Sequence, residues 1–412
     1  MLRFSLISLS LLFLTACPQD DPVLEEPGPV LISDEGNDLA MIAMVGNAMA
    51  VQGGSVHVVW ASSIVQGHDE VYYGRSLDGG VTWDSAVRLT DAVGSVRQPL
   101  IRAWEENLYV VWRDMRDKAE GEVYFKSSKD NGSTWGEDTR LTNDDKKSAL
   151  PTITVAGETV YVAWEHYEPK CSVHFRRSLD GGETWSKSIQ ITGQQEEGGP
   201  ALAVGDGGVL HFVYASQKDS DETNGYNWEL YHRMSEDQGK SWNDPVRLTY
   251  DKIGDSRFPV LPASSGTLHV VWWDDRNDTS IPHFGYPPIN PEADHNFEIY
   301  YKRSSDNGVT WETDVRLTTA EGVGRAPAVI SSVDDVYIAW QDNRDGNEEI
   351  YFKSSQDGGM SWSADERLTE DLAVSQSPSI AIDSVGNRHV TWSDKREGSY
   401  QVYFEKGAVL GK

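Results

Sequence analysis

The chain has 412 residues, with 65 Asp and Glu against 36 Lys and Arg and a formal net charge of −29. So acidic a balance argues against nucleic acid as a partner and suits a soluble, self-repelling surface protein. With 38% hydrophobic residues and 15 Trp there is ample material for a core, and length alone points to two or three domains.

Residues 1–17, MLRFSLISLSLLFLTAC, combine one early charge at Arg3, an apolar run over residues 4–14 and small residues before Cys17. This pattern predicts an export signal, too short to be kept as a spanning helix. Its ending, Leu14-Thr15-Ala16-Cys17, resembles the bacterial lipobox. That resemblance implies a signal peptide of residues 1–16, lipidation of Cys17, and a protein exported and lipid-anchored to the bacterial cell envelope. Residues 17–29 read as an acidic, proline-containing tether and residues 30–412 as a single domain. With Cys17 acylated, Cys171 is left without a disulfide partner and reads as packing.

Repetition then sets the architecture. SLDGGVTW at residues 76–83 returns as SKDNGSTW at 128–135, SLDGGETW at 178–185, SEDQGKSW at 235–242, SSDNGVTW at 304–311 and SQDGGMSW at 355–362. The spacing is that of propeller blades. Around each phrase lies a cassette of two alternating strands, as in PTITVAGETVYVAW at 151–164, then a third strand such as EVYFKSS at 122–128, the phrase itself, and a fourth strand ending Arg-Leu-Thr. Second strands end at Trp60, Trp112, Trp164, Tyr214, Trp272, Trp340 and Trp392. The expectation is therefore all-β: a seven-bladed propeller of four-stranded antiparallel blades. The last cassette stops after its third strand, and VLIS at residues 30–33 matches VRLT at 87–90. An N-terminal strand is expected to close the ring.

An Asp in a Gly-containing turn accepts backbone N–H groups, the Ser or Thr hydroxyl satisfies another partner, and the Trp supplies an apolar wedge between sheets. A device written six times is scaffold rather than catalyst. These phrases are Asp boxes, and the chain resembles the Asp-box, or BNR-repeat, members of the sialidase superfamily over nearly all of its mature length. True sialidases have six blades, so the blade count departs from theirs. The resemblance implies a site on the face opposite the boxes, where the first strands begin and the second-to-third loops lie.

Two recurrent features fall on that face. One is an arginine two residues before the strand-opening proline, Arg97, Arg257 and Arg325, similar to the sialidase arginines that clamp a substrate carboxylate. The other is Trp-x-Asp-x-Arg, ending at Arg116, Arg276, Arg344 and Arg396. Their co-occurrence predicts within-blade ion pairs of Arg97 with Asp114, Arg257 with Asp274, and Arg325 with Asp342, alongside the clamp reading.

Blades three to five break the pattern and are expected to raise one sector of loops for ligand binding. Blade three carries Trp164-Glu165-His166-Tyr167-Glu168, blade four a longer loop with Tyr226 and Trp228, and blade five an insertion over residues 281–296 that includes Phe284 and Tyr286. Two functions follow. As a binding module, the propeller presents Arg97, Arg257, Arg325, His166, Tyr226 and Trp228 to a glycan or protein ligand. As an exo-sialidase-like glycoside hydrolase acting on anionic sugars, it uses Tyr167 or Tyr286 as the nucleophile and Glu165 or Glu168 as its base. No cofactor is expected. His283, His295, Glu292 and Asp294 lack zinc-ligand spacing, and calcium on the acidic loops has no EF-hand-like pattern behind it.

Overall fold

The computed structural model describes residues 28–33, 40–41, 47–65, 68–91, 93–193, 196–220, 227–251, 254–278 and 296–408. Cys17, Tyr226, Phe284, Tyr286 and the His283–His295 group lie outside them.

Seven antiparallel sheets follow one another along the chain. Blade two shows the pattern: Val96–Trp104, Asn107–Asp114, Glu122–Ser128 and Thr139–Arg140, paired in that order. Its second strand buries Leu108, Tyr109, Val110, Val111 and Trp112 in succession. A strand whose sheet is covered on both faces needs a continuous apolar run, and a blade flanked by two others is in that position.

The N-terminal strand closes the ring. Val30–Leu31 pairs with Gln401–Ala408, Val30 opposite Phe404 and Leu31 opposite Tyr403. The likeness of VLIS to VRLT is chemical as well as positional. In blade one the Val71 N–H donates to Thr90 Oγ1 at 2.9 Å, and in blade seven the Val402 N–H donates to Ser33 Oγ at 3.0 Å. Ser33 Oγ in turn donates to Gln401 Oε1 at 2.5 Å, where the other arrangement has Thr90 bonded to Glu70.

The boxes are joinery. Asp78 accepts from Ser76 Oγ at 2.8 Å, from the Thr82 N–H at 2.8 Å and from Thr82 Oγ1 at 2.6 Å. These bonds, the Thr82 hydroxyl foremost, hold its carboxyl down to about 2 although it is exposed. Gly80 has φ 90°, and a Cβ there would collide with the Phe404 ring of blade seven. Trp83 then meets Phe404 edge-on at 5.0 Å. Trp135 does the same to Tyr73 of blade one, Trp185 to Phe125 of blade two and Trp362 to Tyr301 of blade five. Each box thus fastens its blade to the one before. Blade seven has no box, and its Arg388 guanidinium takes the wedge position, 4.6 Å from the centre of the Phe352 ring of blade six.

The expected pairs Arg97–Asp114, Arg257–Asp274 and Arg325–Asp342 do not form. Register is the reason: Asp114 stands opposite Val96, Asp274 opposite Ser256 and Asp342 opposite Gly324, each one residue out of line with the arginine. Successive strand residues point to opposite faces. Each Asp is instead engaged through both oxygens by its own motif. Asp114 accepts from Trp112 Nε1 at 2.8 Å, from the Arg116 N–H at 2.8 Å and from Arg116 Nη2 at 2.7 Å. Asp274, Asp342 and Asp394 repeat the arrangement.

Deleting residues 30–33 leaves the Gln401–Ala408 strand as an open edge. The expected outcome in calorimetry is a melting temperature lower by on the order of 10 °C; an unchanged melt would contradict closure by this strand. Trp135→Ala removes one inter-blade wedge and is expected to cost about 3 kcal/mol in urea denaturation.

Candidate functional site

The first strands of blades two to seven all carry a register shift at their strand-opening proline. The residue before each proline has positive φ: Gln98 57°, Leu150 45°, Phe258 53°, Ala326 48° and Ser377 55°, with Gly199 at 62° in blade four. Five of these six are not glycine, so the backbone holds strain of about 1 kcal/mol or more at each. Bulges of this kind re-aim side chains beside functional sites.

Those of blades two to five line a cavity of ≈ 340 Å³ at the channel mouth, on the face opposite the boxes, bounded by Gln98, Leu150, Phe258, Glu165, Tyr167 and Trp273. In blade three, Tyr167 Oη donates to Glu165 Oε2 at 2.6 Å and the Gly199 N–H donates to Glu165 Oε1 at 2.8 Å. Burial pushes the Glu165 carboxyl up, against the opposing pull of the Tyr167 hydroxyl, the Gly199 N–H, Lys147 and Arg113. Burial and the adjacent Glu165 charge push the Tyr167 phenol up as well. The phenol therefore keeps its proton, hydrogen-bonded to the Glu165 oxygen nearest to it.

Strand alternation divides the Trp-Glu-His-Tyr-Glu cluster. Glu165 and Tyr167 face the cavity; His166 and Glu168 take the other side of the strand. His166 lies 4.3 Å from the His174 ring, and Glu168 is 3.6 Å from His166 Nε2 and 3.3 Å from Lys146.

Three cations line the cavity: Arg102, Arg113 and Lys147. Lys147 Nζ lies 4.2 Å from the centre of the Tyr167 ring, Arg113 donates to the Glu120 carbonyl at 2.9 Å, and Arg102 donates to the carbonyls of Asn47 and Ile101. Among the described residues none of the three forms an ion pair with a carboxylate, whereas Arg116, Arg140, Arg276 and Arg344 all do. Burial lowers Arg102 to about 10, which leaves it charged at neutral pH.

A second cavity of ≈ 230 Å³ adjoins the first and shares Leu150, Glu165, Tyr167, Gly199 and Phe258 with it. It adds Trp228, Arg257 and Glu196. The Arg257 guanidinium lies 4.8 Å from the centre of the Trp228 ring and is paired with Asp255 at 2.7 Å. The structure thus brings Glu165, Tyr167, Trp228 and Arg257 together. Arg97 turns to Asp69 at 2.9 Å and Arg325 lies 5.6 Å from the centre of the Phe297 ring, so the three proline-linked arginines do not share one cavity.

Sequence reasoning missed Arg102, Arg113, Lys147 and Glu196. A signal was available for one of them: the residue after each second-strand aromatic reads Ala61, Arg113, Glu165, Ala215, Trp273, Gln341 and Ser393. That position is the most irregular of an otherwise repeated strand. Among the described residues no group of His, Cys, Asp and Glu is arranged to hold a metal ion.

Residues 34–212 match the family model of the BNR repeat-like domain. The chain is a seven-bladed β-propeller, and residues 34–212 of it are similar to that family. No curated protein matches the propeller by sequence. Among solved structures it is similar to a polysaccharide lyase, an ulvan lyase, with a TM-score of 0.65 and 12% identity over 92% of this chain and 96% of that one. The same lyase bound to -[GlcA(1-4)Rha3S]- superposes with a TM-score of 0.64 at 13% identity, with the same coverage. An α-L-arabinofuranosidase of Fusarium graminearum in complex with arabinobiose gives 0.50 at 16% identity, over 73% of the propeller and 89% of that chain. At these identities the likeness is one of fold.

A Cβ on Gly198 would collide with Glu165 Oε1. Gly198→Ala is therefore expected to displace the carboxylate and shift its titration in carbon-13 NMR. An unmoved titration curve would show that this close approach does not hold it.

Proposed function

We propose that the protein is a carbohydrate-active enzyme, a glycoside hydrolase for anionic sugars that works from the channel mouth, exported and held at the cell envelope by a lipid on Cys17. The observation that carries the reading is the 2.6 Å hydrogen bond from Tyr167 to the buried Glu165, set in a cavity whose Arg102, Arg113 and Lys147 pair with no carboxylate among the described residues. A carboxylate or sulfate on the sugar supplies the missing counter-charge, with Lys147 nearest the tyrosine.

With the acidic group held there, the anomeric carbon meets Tyr167 Oη. As the oxygen forms its bond to carbon, the bond from that carbon to the leaving oxygen breaks and the tyrosine's proton passes to Glu165. A carboxylate whose proton affinity is raised by burial is a stronger base for this transfer than one in water. A Tyr nucleophile of this kind lies outside the usual scheme of two carboxylates. The fold likeness to a polysaccharide lyase and to an arabinofuranosidase supports a saccharide as substrate.

The alternative is glycan binding without chemistry. It is favoured by the divergence of Arg97 and Arg325, which leaves no clamp of three converging arginines.

Fluorogenic aryl glycosides of sialic acid and of glucuronic acid separate the two. The expected outcome is release of the fluorophore, with kcat lowered about 100-fold or more in both Glu165→Gln and Tyr167→Phe and KM little changed. Because Glu165 must be ionised to act and burial raises its pKa, the acid limb of the wild-type kcat/KM profile should lie above the ordinary glutamate range. Equal rates in all three proteins would eliminate hydrolysis, and binding would then be read by calorimetry. An unsaturated product absorbing in the ultraviolet would reassign the pair to elimination from a uronate.

A further inference from the structure

We infer that the propeller rests on a lipid bilayer through the Asp-box face of blades five, six, seven and one, with its channel mouth turned away from the membrane. The inference rests on the lipid anchor proposed at Cys17. Two separate features put the bilayer on that side: where the N-terminal chain joins the ring, and where apolar side chains are exposed.

The chain joins at the box end of blade seven. In blades one to six the third strand runs into the Asp box, so Gln401–Ala408, the third strand of blade seven, runs toward the same face. Val30–Leu31 lies antiparallel to it, with Val30 opposite Phe404 and Leu31 opposite Tyr403, and the Ile32 N–H then donates to the Val402 carbonyl at 2.9 Å. The strand therefore enters from the box side and runs toward the mouth. Twelve residues separate Cys17 from Val30, a chain of about 45 Å at full stretch. With the box face on the bilayer, none of that length is spent in passing the propeller. With the mouth on the bilayer, about 25 Å of it runs back along the height of blade seven, whose third strand has eight residues.

The position before the Thr or Ser of each box changes character around the ring. It is Val81 in blade one, Val309 in blade five and Met360 in blade six, but Ser133, Glu183 and Lys240 in blades two, three and four. The first-to-second turns of blades six and seven add Val333 and Val385 to the same face. These five apolar residues are between 61% and 78% exposed, and they flank the entry of the chain on both sides. Trp104 and Leu179 are exposed on blades two and three, beside Glu105 and Glu183 of their own turns. Exposed apolar side chains taken singly bind little. A short tether raises their effective concentration at the bilayer, so that weak contacts suffice.

Charge selects the lipid. Hydrogen bonds, those from the Thr82 and Ser361 hydroxyls foremost, hold the Asp78 and Asp357 carboxyls of this face down to about 2, and the tether adds Asp20, Asp21, Glu25 and Glu26. An anionic headgroup is repelled, whereas zwitterionic phosphatidylethanolamine accepts the apolar arc. The cavity at the mouth then opens to solution.

The test holds the acylated protein in vesicles of phosphatidylethanolamine and phosphatidylcholine, with mass spectrometry reading the lipid on Cys17. Met360→Cys and Val385→Cys place an environment-sensitive dye on the box face, and Leu372→Cys places one on the mouth face at a residue 98% exposed; the native Cys171 is buried. The expected result is blue-shifted emission from both box-face dyes and quenching by brominated lipid about threefold stronger than for the mouth dye. Val81→Lys, Val309→Lys and Met360→Lys together, which copy Lys240 of blade four, should lower the quenching of the Val385→Cys dye about twofold or more. Phosphatidylglycerol should weaken the quenching and added salt restore it. Quenching that is equal at the three sites, or strongest at the mouth, in protein acylated at Cys17 would overturn the docking face and leave the anchor standing. Blue-shifted box-face dyes that brominated lipid does not quench, with dimers in analytical ultracentrifugation, would overturn it in favour of a second copy of the chain. A Cys17 without lipid would overturn the anchor and the docking face together, and the fluorogenic assay of Glu165 and Tyr167 would be untouched by any of these results.

Discussion

Every sheet in a closed ring has to bury both of its faces, and the edge-on contact of each Asp-box tryptophan with an aromatic of the preceding blade is what makes that burial continuous. Trp83 against Phe404, Trp135 against Tyr73 and Trp185 against Phe125 are the same contact at different seams. The contact requires a glycine where the turn presses on the neighbouring ring, since a Cβ at Gly80, Gly132 or Gly182 would overlap it. The seam before blade seven has no box, and a guanidinium over Phe352 replaces the indole. The ring therefore tolerates a change of chemistry at a seam as long as something flat covers the aromatic below it.

Rigid joinery on one face frees the other to vary. In blades two, five and six the second strand ends in a closed circuit of Trp, Asp and Arg that engages both oxygens of the Asp. Blade three has lost that circuit, with His166 and Glu168 where the Asp and Arg would be. Its outer elements have changed too, for Ser172 and Gln190 stand where blade two has Glu122 and Arg140. The freed strand end carries a carboxylate and a phenol into the channel. The neighbouring Gly198-Gly199 of blade four leaves room for that carboxylate and gives it an N–H.

A buried carboxylate is costly unless it is hydrogen-bonded or compensated by charge. Glu165 has both, from Tyr167 and Gly199 and from the nearby Lys147 and Arg113. Those cations over-compensate locally in a chain of net charge −29. An acidic protein repels anions in general, so a basic mouth within it attracts them at one place.

Much of the architecture was legible in the residues themselves. Six Asp boxes and seven aromatic strand ends give the blade count, and the echo of Val-Arg-Leu-Thr in Val-Leu-Ile-Ser gives the closure, because repeated local chemistry is written in consecutive residues. Of the site, Glu165, Tyr167 and Trp228 were readable as departures from the repeat and Arg257 as one of the recurrent proline-linked arginines, and Glu165 with Tyr167 are two apart on a strand and so share a face by alternation alone. Arg113 showed only as an irregular position after a second-strand aromatic, and Arg102, Lys147 and Glu196 were not readable, since they come from three blades and meet only when the ring closes. Nor could spacing reveal that Arg97, Arg257 and Arg325 stand one residue out of register with their supposed acids. A bulge at the proline sets that register, and it is the pairing of strands across a sheet, rather than the order of residues along one, that decides which side chains face each other.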